Sequence, residues 1–367
     1  MTSARRTGLA AMVPLAVVVL LSAAGAAWGP GPTAVATGAG ATGAAGTAVV
    51  GAVALGSVAL GAAVPAGGHA VDPNVFEPGA CESFAPTAGD RHESVFLDAG
   101  HGSIDPGSVG LTEGGRTIYE GTETLAVELN ALSLLRAQGF TVIVSRTRDS
   151  PVARPRPGDV ADGLYTVQGD LNDVASRDIC ADMAKADILI GIYFDAGSST
   201  SNAGSITGYD ADRPFAAANL RLANLVQTDV LAAMNAQGWD IPDDGVISDT
   251  LLGGPPLSSA AADYGHLLLL GPADPGYFST PSTMPGALIE PLFITDPYEG
   301  SLADSALGQH VIAQGLAAAV EQYFGPRKDP MGRSPGTTKS HHTRRGKTAQ
   351  AGKAAKQAEA GNANSGR

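Results

Sequence analysis

The chain has 367 residues, with 36 Asp and Glu against 23 Lys and Arg, a formal net charge of −13 and two cysteines. So acidic a body argues against nucleic acid as a partner, and the lone pair Cys81 and Cys180 shows no CxxC or Cys/His finger spacing, which excludes a cysteine zinc site. Between an Ala/Gly-rich start and a basic end, roughly Val71 to Gly325 has mixed composition with recurring apolar blocks, ample for one large α/β core.

The N-terminus reads as an export signal. Arg5 and Arg6 precede an apolar run from Leu9 to Ala24, and the small residues at 24–27 suit a cleavage site. Residues 1–28 are thus a signal peptide or, because the run nearly reaches bilayer length, an anchor. Residues 29–90 read as a low-complexity spacer. Within it Thr47 to Ala66 is uncharged and apolar: a flexible spacer, a second anchor, or the true signal if translation starts later. An exported protein of this kind, extracellular, periplasmic or wall-associated, suits one disulfide between Cys81 and Cys180, or else two buried thiols.

The folded domain is expected over 91–325. Ser94 to Asp98 (SVFLD) predicts a first strand that ends in the Gly-rich turn AGHGSIDPGSVG. Leu125, Leu129, Leu132 and Leu135 share a helical face that Gly139 stops, and Phe140 to Ser145 is a β-branched strand, which completes a βαβ unit. Ser150 to Asp170 reads as a loop. A helix is expected over Asp173 to Ala186, with Ala175, Ile179 and Met183 inward, then a buried strand within Asp187 to Ala196 and a short one at Ser205 to Tyr209. A helix over Phe215 to Gln237, a loop from Asp240 to Tyr264, strands at His266 to Leu270 and Gly286 to Ile294, and a helix over Leu302 to Tyr323 complete the domain. The alternation implies a single doubly wound α/β domain, a mostly parallel sheet flanked by helices with its active groups at the strand ends.

Two residues stand out at those ends. His101 follows the first strand between glycines, and Glu120 stands at the mouth of the next helix. A histidine and a carboxylate on adjacent strand-end loops can converge on one cation, although each taken singly is an ordinary loop or helix-start residue. LDAGHGSIDPG resembles the signature turn of the zinc-dependent N-acetylmuramoyl-L-alanine amidases, which cleave the bond between N-acetylmuramic acid and L-alanine in peptidoglycan. Glu120 with Leu125, the VIVSRTRD element at 142–149 and ALIEPLFITD at 287–296 match further motifs of that family in the same order. The resemblance spans about Val95 to Phe324. It implies that His101 and Glu120 ligate zinc and that Glu290 is catalytic.

The sequence departs from the family on the third strand. Where the pattern S-I-H-A-N-A carries the third ligand, this chain reads Gly191-Ile192-Tyr193-Phe194-Asp195-Ala196. Strand alternation places Tyr193 and Asp195 on one face, pointing into the supposed site. A phenol is a poor ligand at neutral pH, whereas Asp195 offers a carboxylate and would make a harder set that favours another divalent ion; alternatively the metal is lost. His266 is either a further ligand or, beside its leucines, a core histidine bonded to backbone; His69 and His310 match no motif.

The expected function is therefore hydrolysis of the muramoyl–L-alanine amide by metal-activated water with Glu290 as general base. The rival is an inactive amidase fold that binds peptidoglycan. Pro326 to Arg367 carries ten Lys and Arg against two Asp and Glu, a balance of +8 that leaves −21 on the rest. This tail, 326–367, is expected to be disordered, and either to touch anionic wall polymers or lipid head groups or merely to solubilise. A monomer is expected. Serine-hydrolase, nucleotide and dinucleotide motifs find no match.

Overall fold

The computed structural model describes residues 63–251 and 259–326. The export segment, most of the spacer and the basic tail lie outside the described residues. No helix among the described residues is long and apolar enough to cross a membrane.

The strands are β1 (Gly68–Ala70), β2 (Ala80–Phe84), β3 (Ser94–Ala99), β4 (Val109–Leu111), β5 (Thr117–Tyr119), β6 (Thr141–Arg146), β7 (Val160–Ala161), β8 (Leu164–Tyr165), β9 (Ile188–Ile192), β10 (Ser205–Tyr209), β11 (Asp243–Ser248) and β12 (Gly286–Glu290). The helices are α1 (Glu120–Ala137), α2 (Val167–Ala184), α3 (Ala216–Asn235), α4 (Ser259–Tyr264), α5 (Pro297–Ala303) and α6 (Ala306–Phe324). Eight strands form one sheet in the order β1-β2-β6-β3-β9-β12-β10-β11. The central four, β6, β3, β9 and β12, run parallel; β2 and β10 are antiparallel to their inner neighbours. The β4-β5 and β7-β8 pairs are separate small hairpins.

Side-chain alternation divides the apolar residues between two layers. Val95, Leu97, Val142, Val144, Ile190 and Ile289 share a core with α1, α3 and α6. Phe96, Ile143, Leu189 and Leu288 point the other way, toward Cys180 and Ala181 of α2 and toward Leu267, Leu269 and Leu270. Strands buried on both faces read as continuous apolar runs, which is why β3, β6 and β9 are legible.

Several expectations change. The fold starts before residue 91: β1 and β2, inside the segment read as spacer, extend the sheet beyond β6. The loop at 240–264 contains β11 and α4, and the closing helix is two, α5 and α6, separated by the Ser305 cap, whose hydroxyl accepts the Gly308 N–H. His266 to Leu270 is a turn rather than a strand; its leucines fill the core without strand pairing. In α2, Met183 is exposed, and the buried side carries Asp173, Arg177 and Asp178. That helix turns a polar stripe to the sheet because it supports the strand ends.

Cys81 on β2 and Cys180 on α2 form a disulfide across a sequence separation of 99 residues. Closing so long a loop restricts the unfolded chain, so replacing Cys180 with alanine is expected to cost about 2–4 kcal/mol. A urea midpoint unchanged in that variant, at equal slope, would contradict it.

Candidate functional site

The carboxyl ends of β3, β9 and β12 meet at one cleft of about 580 Å³, lined among others by His101, Glu120, Tyr193, Asp195 and Glu290. Parallel pairing explains the convergence, since three adjacent strands all deliver their following residues to the same edge. All five residues singled out in the sequence line this cleft.

His101 lies in the left-handed region at φ 62°, followed by Gly102 at φ 127°. The turn is pinned from below: Arg177 donates to the carbonyl oxygens of Ala99 at 2.8 Å and His101 at 2.8 Å. His101 Nδ1 meets Asp105 Oδ2 at 2.6 Å, and Nε2 meets Glu120 Oε1 at 3.1 Å. Burial works against the charged imidazole, yet Glu120 and Asp105 raise its pKa to about 10. Burial likewise opposes ionisation of Glu120, but His101 and the N–H groups of Phe194 and Ser108 outweigh it and hold Glu120 below the usual carboxylate range. Gly107 closes over the pair: at φ 69°, a Cβ there would stand 2.7 Å from the His101 ring and 2.8 Å from Glu120.

Asp195 and Glu290 form a second pair. Burial, then the charges of Asp195 and Glu120, push the Glu290 carboxyl well above its ordinary pKa. It donates its proton to Asp195, which also accepts the Ala196 N–H at 2.6 Å. Two adjacent, partly buried carboxyls are expected to share one proton.

Tyr193 corrects the sequence reading. Its ring packs edge-on to His101 at 5.2 Å between centroids, but its hydroxyl donates to Asp98 Oδ2 at 3.1 Å. Burial and Asp98 push the phenol well above its ordinary pKa, so no phenolate is offered. The reason lies in the register: Asp98 pairs with Gly191 across the parallel strands, and Tyr193, two residues on, falls on the same face beside it. His101, Glu120 and Asp195 do not form a group whose ligand atoms all lie within 4.8 Å of one another. Among the described residues the group that meets this distance is Asp210, Asp249 and His266. His266 accordingly pairs with these two aspartates rather than with a backbone group among the described residues, and it does not line the cleft.

Sequence reasoning missed the buried network beneath the turn. Asp98 and Arg177 pair at 2.6 Å, and Arg177 meets Asp173 at 2.9 Å. Arg146 donates to the carbonyls of Ala99 and Gly100 and to Gly121 O, and Glu128 accepts from the N–H of Ala99 at 3.0 Å and of Ser145 at 3.2 Å. The available signals were the polar residue at the end of an apolar strand and the Asp173–Arg177 spacing of four on one helix. Burial raises the Glu128 pKa to about 8. A raised folded-state pKa contributes stability that is complete below about 4.5 and is lost as pH rises through about 8. Replacing Glu128 with glutamine is expected to flatten the fall in stability between those values, read by urea unfolding at pH 5 and pH 8.5.

The family model described as N-acetylmuramoyl-L-alanine amidase matches residues 95–322, and the chain belongs to that family. The N-acetylmuramoyl-L-alanine amidase LytC of Bacillus subtilis (strain 168) is 26% identical over 233 residues, 63% of this chain and 36% of that relative, so the chain spans little more than a third of its length. Similar solved structures include the catalytic domain of CwlV, an N-acetylmuramoyl-L-alanine amidase from Bacillus (Paenibacillus) polymyxa var. colistinus, at 21% identity, covering 63% of this chain and 98% of that one with a TM-score of 0.43. The CwlD amidase from Clostridioides difficile, solved in complex with the GerS lipoprotein, has 21% identity, the same coverages and a TM-score of 0.47.

Proposed function

We propose that this chain is an exported peptidoglycan hydrolase that cleaves the amide between N-acetylmuramic acid and L-alanine. Family membership supports the reaction, and the observation that carries it to this chain is the meeting of His101 and Glu120 with the Asp195–Glu290 pair in one cleft. The cleft's volume and its mix of polar and apolar lining suit a short stem peptide that bears charges of both signs.

The donor set fits a divalent ion in part. His101 Nε2 and Glu120 Oε1 are two suitable ligands; Asp195 is the remaining carboxylate, and Tyr193 is not a ligand. Bound there, zinc or a harder divalent ion would supply Lewis acidity toward the amide carbonyl and lower the pKa of a water. It would compete with the proton now on His101, so uptake strengthens as pH rises. The chain's own residues do the rest. In the resting cleft Glu290 shares a proton with Asp195; ionised, it would take the proton of the attacking water and then pass that proton to the leaving amine of L-alanine. Asp195 orients that carboxyl, and Phe194 N–H fixes Glu120 at 2.9 Å.

A second reading, a wall-binding protein without hydrolysis, is favoured by one observation: the tyrosine in the third ligand's place is tied to Asp98. The two separate on purified sacculi incubated with the full chain and assayed for new L-alanine amino termini. Release that is abolished by a chelator and restored by zinc or manganese supports the hydrolase; sacculus binding without release supports the second reading. On either reading, the basic tail at 326–367 supplies the charge to approach anionic wall polymers or lipid head groups.

A further inference from the structure

We propose that Asp210, Asp249 and His266 form a structural metal site for a zinc-class divalent ion, separate from the cleft. The parallel pairing of β10 with β11 places Tyr209 opposite Ser248, so the next residues, Asp210 and Asp249, leave the sheet side by side. His266, just beyond α4, brings Nδ1 to 2.9 Å from Asp210 Oδ2 and 3.3 Å from Asp249 Oδ2. The three ligand atoms all lie within 4.8 Å of one another. Because β10 runs antiparallel to β12, this cluster sits at the opposite end of the sheet from Glu290.

Each aspartate is held by one backbone group, Asp210 Oδ1 accepting the Asp212 N–H at 2.6 Å and Asp249 Oδ2 the Leu267 N–H at 3.1 Å. Both aspartate side chains are fully buried. Among the described residues Asp249 Oδ1 has no hydrogen-bond partner, and Asp210 Oδ2 has none beyond its 2.9 Å approach to His266 Nδ1. The imidazole has one Nδ1 to serve two carboxylates. The nearby Arg213 relieves neither by hydrogen bonding, because it donates to the carbonyls of Leu270, Gly271 and Ser282. Two buried carboxylates match the charge of a divalent ion, and one nitrogen with two oxygens is a zinc-compatible set. Such an ion would tie two strand ends to the turn whose Leu267 to Leu269 wall the cleft.

The test uses the full chain carrying His101→Ala, which disables the cleft's donor pair, stripped with chelator and titrated with Zn²⁺. One equivalent is expected to bind and to raise the melting temperature by roughly 5 °C at a hundredfold excess over the dissociation constant. Adding His266→Ala or the near-isosteric Asp249→Asn is expected to weaken binding by more than about 100-fold and to abolish the thermal shift. Failure of the His101→Ala chain to take up zinc would overturn the proposal, leaving His266 as a plain ion-pair partner of the two aspartates. So would uptake that the Asp249→Asn chain retains in full, with near-ultraviolet dichroism confirming that it is folded.

Discussion

Replacing Glu290 with glutamine is expected to lower the release of L-alanine amino termini from sacculi by roughly a thousandfold, about 4 kcal/mol of transition-state stabilisation. The amide keeps the shape of the carboxyl and can still donate to Asp195, so the melting temperature and sacculus binding should hold. What is lost is the transferable proton. Release within a few fold of the parent would move the acid–base role to another group, Asp195 first.

A larger structural effect is expected from Arg177→Ala. The guanidinium pairs with Asp98 and Asp173, neither more than marginally exposed, and donates to the carbonyls of Ala99 and His101. Its removal leaves the buried Asp98 without its cationic partner, a loss of about 3–5 kcal/mol. Lysine is not a substitute, because four acceptors arranged around a planar fork cannot be met by one ammonium group. Equilibrium urea unfolding measures this directly, and a loss below about 1 kcal/mol would show that the network adds nothing net to stability. The same variant frees the His101 turn, so any activity should fall with stability.

The parallel core and the cleft were legible because strands buried on both faces are uniformly apolar and because glycines and acids collect at their ends. The edges were not. In β11 the pattern DDGVIS is half-exposed along its length, and β1 is exposed throughout, so neither carries an alternating signal. The turn at 266–270 misled for the opposite reason: four consecutive leucines read as a buried strand, yet they reach the core from hydrogen-bonded turns. Met183 misled because periodicity counts apolar residues only, whereas the inward stripe of α2 is Asp173, Arg177 and Asp178. Tyr193 required the register between β3 and β9, which no single-chain pattern contains: only the neighbouring Asp98 shows where its hydroxyl goes.

The link between Cys81 and Cys180 divides the cleft's residues in a way the linear order conceals. His101, Glu120 and the arginine that braces their turn all lie on the covalent ring it closes, while Tyr193, Asp195 and Glu290 belong to the open remainder of the chain. A partial opening that frees β12 would carry Glu290 off and leave the imidazole and its carboxylate partner tethered together. In oxidised protein the His101–Glu120 pair should therefore outlast its link to Glu290, and reduction should erase that hierarchy.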